Sequence, residues 1–238
     1  MPDDKTVCNT KKIRKGKLNH RFYSKNNNEK NRIAVAIATL SLTVICFSVV
    51  ISVYSGIYLI GFLTFAITLS IAAPFFDIPS LKKSGRIIYY SSLFLTEKPK
   101  NGVVKIHGGT LFDYWFVIDR KMNGKQRTDF IIQQYLEGLL SLMEEHKNDK
   151  QMRVRGTSYI INERTAEKMG FEILETDLLQ KAIITYNYFN ILISNSIAKN
   201  KLAFPNLSKT KTFEAEIGRL VQRKEYIERL HKSMKRSY

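Results

Sequence analysis

The sequence predicts an α+β protein: a two-helix transmembrane hairpin, then a cytosolic α/β domain with a mixed sheet, then a basic C-terminal helix. Two observations predict it. Residues 33–76 contain no Asp, Glu, Lys, Arg or His, although the chain of 238 residues carries a net charge of +17. After residue 82, short segments rich in β-branched and aromatic residues alternate with segments of helical periodicity.

The uncharged stretch is long enough for two membrane crossings. Its 44 residues would form a helix of roughly 66 Å, about twice the ~30 Å hydrocarbon core. Tyr54-Ser55-Gly56 interrupts the aliphatic run, so we expect spans at 33–53 and 57–76. A buried hairpin of a soluble core and a cleaved signal peptide are the alternatives. The first needs a larger surrounding domain, and the second a shorter apolar segment.

The residues before the hairpin are strongly basic. Residues 1–32 contain ten Lys and Arg residues against three acids. Lacking apolar periodicity, they are predicted to form a disordered tail. The turn between the spans carries no base, so the distribution of Lys and Arg predicts a protein of the cell membrane with both termini in the cytoplasm. Anionic lipid head groups are the expected partner of this charge, and nucleic acid is the less favoured one.

The cytosolic α/β domain is predicted to span residues 82–208. Strands are expected at 87–95, 103–106, 111–118, 152–161 and 171–175, with helices after residue 128, at 163–169 and at 177–199. The last of these is apolar enough to be either a core helix or a membrane-associated one. Residues 209–238 are predicted to form a basic amphipathic helix, beginning at Thr212.

One part of this domain resembles a known family. The stretch Phe116-Val117-Ile118-Asp119 precedes the basic loop Lys121-Met122-Asn123-Gly124-Lys125-Gln126 and a helix, and the later stretch 162–171 runs from Asn162 to Gly170-Phe171. Residues 111–176 therefore resemble the acyl-CoA-binding core of the GCN5-related N-acetyltransferases. The resemblance implies an incomplete fold of that family. It also implies acetyl-CoA as cofactor, bound by Gly124, Lys125, Gln126 and Asn162 at helix N-termini.

Two arginines form a second candidate site. Arg153 and Arg155 alternate along a predicted strand and so share one face, where they could bind an anion. The four histidines and two cysteines show no metal-ligand spacing, and no metal is predicted. We therefore expect an interaction or regulatory module, anchored at the membrane and bound by an unidentified protein partner. An acyl-CoA-dependent N-acyltransferase is the first alternative, and a membrane-tethered nucleic-acid-binding protein is the second.

Overall fold

The computed structural model describes residues 18–235, and it opens with two long antiparallel helices. These are α1 (Asn27–Ser55) and α2 (Tyr58–Lys83). The Asn26 side chain accepts a hydrogen bond from the N–H of Glu29, and the Glu29 carboxylate accepts one from the N–H of Asn26. This capping box fixes the start of α1. Gly56 closes the turn at a φ of 71°, in the left-handed region that favours glycine.

The predicted spans 33–53 and 57–76 lie inside these two helices, whose ends extend into charged sequence. The structure differs from the predicted disordered tail, which was expected to reach residue 32. Residues 27–32 form the first turns of α1, because the Asn26 capping box starts the helix there. Residues 18–26, called the N-terminal segment below, form turns packed against the rest of the protein. Residues 1–17 lie outside the described part of the chain.

Within residues 18–235, six strands form one sheet, and this sheet is mixed, as predicted. They are β1 (Ile87–Ser91), β2 (Phe94–Glu97), β3 (Val103–Gly108), β4 (Arg153–Ser158), β5 (Glu172–Leu174) and β6 (Lys211–Glu216). Their order across the sheet is β1-β2-β3-β4-β6-β5, and the β3–β4 pair is the parallel one. Two helices, α3 (Leu111–Val117) and α4 (Gly124–Glu145), make the crossover that a parallel pair requires.

Further helices in the described part of the chain are α5 (Glu163–Met169), α6 (Leu178–Tyr186), α7 (Tyr188–Lys199), α8 (Ile217–Gln222) and α9 (Lys224–Lys235), and Leu207–Lys209 forms a 3₁₀ turn. The long helix predicted at 177–199 is therefore divided at Asn187, which ends α6 and starts α7.

Four predicted elements differ from the structure. The strand predicted at 87–95 is two strands, β1 and β2, and α4 begins at Gly124 rather than after residue 128, because Asn123 and Gln126 form its capping box. Residues 111–117 form a helix rather than a strand, because Thr110 and Asp113 make a capping box and Phe112 and Phe116 then share one buried face. Residues 211–216 form strand β6 rather than the start of the C-terminal helix. Their core-facing residues, Phe213 and Ala215, alternate with the outward-facing Glu214, a strand period. The C-terminal helix accordingly begins later, as α8 and α9.

The main core lies between one face of the sheet and helices α4, α5, α8 and α9. Its most buried members include Val104, Leu142, Met143, Val154, Ile217, Leu220 and Ile227. The apolar side of α9 is therefore part of this core.

The opposite face of the sheet has two parts. At β1 and β2 it is covered by the end of α2 and the N-terminal segment. Farther along it carries the exposed charges Lys105, Arg153 and Arg155.

In the hairpin, unlike the core of the sheet domain, small residues are buried and large apolar residues are exposed. Its buried residues are small, namely Ser48, Ser52, Ser70 and Ala72, while leucine, valine and phenylalanine side chains are exposed along both helices. Only 6% of the most apolar 18-residue stretch of α1 and 11% of that of α2 are buried. By length and composition, the two helices could cross a membrane.

Candidate functional site at the base of the hairpin

Helix α3 joins the hairpin to the sheet domain. Phe112 and Phe116 lie one turn apart on α3 and form an aromatic cluster with Phe22 of the N-terminal segment. Ile33 of α1 and Phe75 of α2 pack on the same cluster. The helix therefore lies at the point where the uncharged part of both hairpin helices ends.

A buried carboxylate on α3 fixes this arrangement. Asp113 is fully buried, and its Oδ2 accepts hydrogen bonds from the Thr110 N–H at 2.7 Å and the Thr110 hydroxyl at 2.8 Å. Its Oδ1 accepts one from the Tyr89 hydroxyl at 2.6 Å and lies 3.3 Å from His20 Nε2. Both oxygens are thus occupied, which suits a structural clamp better than a reactive carboxylate.

His20 closes the clamp from the N-terminal segment. It is 3% exposed, and its ring stacks on Phe112 with centroids 5.0 Å apart. His20 lies in the stretch that was predicted to be a disordered tail, where a histidine would be solvated, yet its side chain is buried. The partner Asp113 is 93 residues away, so no local pattern links the two. The one sequence signal was the spacing of Thr110 and Asp113, which fits a capping box.

Burial keeps the tyrosines of this region protonated. Removal from water raises the pKa of Tyr89 far above its ordinary value, and the nearby Asp113 carboxylate raises it further. Burial likewise raises the pKa of Tyr23. The Tyr89 hydroxyl therefore remains a hydrogen-bond donor to Asp113 through the neutral pH range.

Arg21 attaches the N-terminal segment to the end of α3. Its Nε donates to the carbonyl of Phe116 at 2.7 Å, and its Nη2 donates to those of Ile118 at 2.9 Å and Trp115 at 3.1 Å. These carbonyls belong to the C-terminal end of the helix, where a cation is favoured.

An open groove of about 530 Å³ lies beside this cap. Its lining combines cations and aromatic rings: Arg21, Ser24, Lys25, Glu29, Trp115, Phe116 and Arg120. Trp115 is 47% exposed, and the Arg120 guanidinium lies 4.9 Å from its ring centroid. An exposed tryptophan among cations, next to the end of a long apolar hairpin, is typical of a membrane–water interface.

The residues predicted to bind acetyl-CoA have local structural roles. Asn123 and Gln126 form the capping box of α4. Gly124 lies so close to the end of α7 that a Cβ would collide with the carbonyl oxygen of Lys199, while Lys125 is exposed. Asn162 caps α5, its side chain accepting from the N–H of Arg164 at 2.9 Å. Binding of the cofactor by these residues stays a prediction.

Arg153 and Arg155 do share one face of a strand. Both guanidinium groups pair with the carboxylate of Glu214 on the neighbouring strand β6, Arg153 at 3.1 Å. Nearly half of each arginine side chain remains exposed. The structure therefore shows one carboxylate between two cations on an open surface, and binding of a further anion there stays a prediction.

Within residues 18–235, no group of three or more His, Cys, Asp or Glu is arranged to hold a metal ion. Comparisons with protein-family models, with curated proteins and with solved structures found no match to this chain.

Proposed function

We propose that this chain is an integral membrane protein whose hairpin anchors the α/β domain at the cytoplasmic membrane, where the domain acts as an interaction or regulatory module. The packing of the hairpin carries the proposal. The small Ser52 of α1 contacts Gly61 of α2, whereas the large apolar side chains face outward, which in water would leave a wide exposed apolar surface. Small residues between helices and apolar residues outside are typical of helices surrounded by lipid.

In the proposed orientation, the segment before the hairpin and the domain after it both lie in the cytoplasm. Residues 1–32 hold ten bases, and Lys82, Lys83 and Arg86 follow the second helix. The turn, at residues 54–57, holds none. The groove lined by Arg21, Lys25 and Arg120 would then lie at head-group level, where cations attract anionic lipids.

The regulatory role rests on how the domain is joined to its anchor. Helix α3 packs on both hairpin helices, and α7 packs on α2. A protein partner of the domain would therefore be held at the membrane surface in a defined orientation. The acyl-CoA and nucleic-acid alternatives stay predictions, since no observation on residues 18–235 favours either of them over anchoring.

Accessibility labelling tests the proposal. In a variant with Cys8→Ser and Cys46→Ser, we introduce Tyr54→Cys in the turn, at a side chain that is 95% exposed, or Lys168→Cys on the exposed side of α5. An impermeant maleimide added to intact cells should label position 54. Position 168 should be labelled only after permeabilisation.

Two results would contradict the proposal. Labelling of position 168 from outside would reverse the orientation. Labelling of neither position in intact cells, with the protein recovered in the soluble fraction, would favour a hairpin buried in a soluble assembly.

A further inference from the structure

Helix α6 turns its apolar side away from the protein. None of its residues is buried. Leu178 is 83% exposed, Leu179 72% and Tyr186 61%. At 100° per residue these side chains, with Ile183, cover one continuous face of the helix. An exposed apolar face of this kind on a folded protein marks a contact surface.

The other side of α6 faces the domain and is more polar. Lys181, Ile184 and Thr185 line a cleft whose opposite wall includes Thr210 and Lys211. A surface helix in water packs its apolar side on the protein and its polar side outward. Helix α6 does the reverse, so its outer side is suited to an apolar surrounding.

Helix α7 connects α6 to the hairpin. The Asn190 side chain donates to the backbone carbonyl of Ser70 at 3.3 Å, inside the uncharged stretch of α2. Ala198, eight residues later, belongs to the cluster that contains Leu93 and Tyr114 of the domain. Helix α7 therefore spans about 12 Å between the domain and the level of Ser70. Helix α6 ends at Tyr186, four residues before Asn190, the residue that contacts α2.

The segment 199–204, which begins at the last residue of α7, adds a second apolar contact. It is held against α7 because the Asn195 side chain donates to the carbonyl of Ala203 at 2.8 Å, and the N–H of Ala203 donates to the Ser196 hydroxyl at 3.2 Å. On either side of Ala203, Leu202 is 71% and Phe204 68% exposed.

The charge of this region fits an anionic surface. Residues 177–211 contain five lysines and one aspartate, and two of the lysines, Lys199 and Lys201, lie next to Leu202. Basic residues interspersed with exposed apolar ones are typical of segments that lie in the head-group region of a bilayer.

We propose that α6 and the segment 199–204 form a second membrane contact, lying in the cytoplasmic leaflet beside the hairpin. The contact would add a second point of attachment to the membrane, beside the one that the packing of α3 and α7 on the hairpin provides. This inference rests on the proposed membrane anchoring.

Lipid-borne quenching tests the contact on the full chain. In the variant carrying Cys8→Ser and Cys46→Ser, an environment-sensitive fluorophore is attached to Leu179→Cys, to Phe204→Cys or, as control, to Lys168→Cys. The protein is reconstituted in phosphatidylcholine–phosphatidylglycerol vesicles with a spin label on carbon 5 of the acyl chain. Quenching at positions 179 and 204 should be at least twofold stronger than at position 168.

Quenching at 179 and 204 no stronger than at 168 would overturn the inference. A blue-shifted emission that lipid spin labels do not quench, and that disappears on dilution of the protein among vesicles, would also overturn it, because a second copy would then cover the surface. The maleimide result at position 54 is independent of both outcomes, so failure of the second contact is distinguishable from failure of the anchor.

Discussion

The core of the sheet domain and the hairpin bury opposite kinds of residue. In the main core of the domain, the apolar side chains of Leu142, Met143 and Ile217 are at most 1% exposed. In the hairpin, Ser48 and Ser52 are about 5% and 4% exposed, whereas Leu40 and Phe47 are each 67% exposed. Each part of the chain is therefore matched to its own surroundings, water for the domain and, in our proposal, lipid for the hairpin.

The change from one packing to the other occurs at α3. Its residues Phe112 and Phe116 are buried between the hairpin and the domain, while Trp115 on the same helix is half exposed among cations. The buried pair of His20 and Asp113 ties the N-terminal segment to this level. A change that affects only one kind of packing should therefore leave the other intact, and the following predictions test that independence.

Alkaline pH should produce the largest difference between the two regions. Burial raises the pKa of Tyr89 and Tyr114, so both remain protonated in the folded domain when the unfolded chain begins to lose these protons near pH 10. Unfolding then releases protons, and the free energy of unfolding falls as the pH rises above 10. Each tyrosine contributes about 1.4 kcal/mol of this loss at pH 11.

The measurement is the fluorescence of Trp115, the single tryptophan, between pH 8 and 12 in vesicles, together with sedimentation of the protein with the membrane. The domain should unfold while the hairpin, whose residues 33–76 include no Asp, Glu, Lys, Arg or His, keeps the chain in the membrane. Tyr89→Phe should reduce the pH dependence of the free energy of unfolding, whereas Tyr54→Phe in the exposed turn should not. Release of the protein from the membrane together with domain unfolding would contradict independent packing.

The same substitution at two leucines should have unequal effects. Leu142→Ala leaves a cavity in a core where this side chain is 0% exposed, and should lower the free energy of unfolding by about 2–5 kcal/mol. Leu42→Ala removes a side chain that is 62% exposed on α1, leaves no cavity, and should have little effect. Urea unfolding in detergent micelles, followed by Trp115 fluorescence, compares the two variants. Equal losses would show that the hairpin is packed as a conventional core.

The sequence was sufficient for the parts of the fold that depend on composition and local pattern. The two apolar helices follow from the absence of charge over residues 33–76, whatever the rest of the chain does. The mixed sheet follows from strands separated by both short turns and a helical crossover. The start of α4 was missed, although its signal is local: the helix was expected after residue 128, whereas the capping box of Asn123 and Gln126 starts it at Gly124.

Where tertiary contacts oppose local propensity, the sequence was misleading. Residues 111–117 are aromatic and β-branched, which favours a strand, yet the Asp113 capping box and the hairpin contact of Phe112 make them a helix. In the segment after Thr210, strand pairing with β4 and β5 outweighs the helical periodicity that continues beyond residue 217. The His20–Asp113 pair could not be predicted from the sequence, because the two residues come close together only in the folded protein.

The smallest expected effect concerns the contact between α1 and α2. The Ser52 hydroxyl oxygen accepts a hydrogen bond from the N–H of Gly61 at 2.6 Å, where α2 passes close to α1. Ser52→Ala removes this interhelical bond, and such bonds contribute on average about 0.6 and at most about 1.7 kcal/mol in membranes. Thr43, nine residues earlier, lies on the opposite side of α1 and donates to its own helix at Thr39. Unfolding in mixed micelles with increasing dodecyl sulfate, followed by circular dichroism, should therefore show a small loss of hairpin stability for Ser52→Ala and a smaller one for Thr43→Val. An equal or larger loss for Thr43→Val would mean that the exposed side of α1, rather than its serine side, makes the contact that holds the hairpin together.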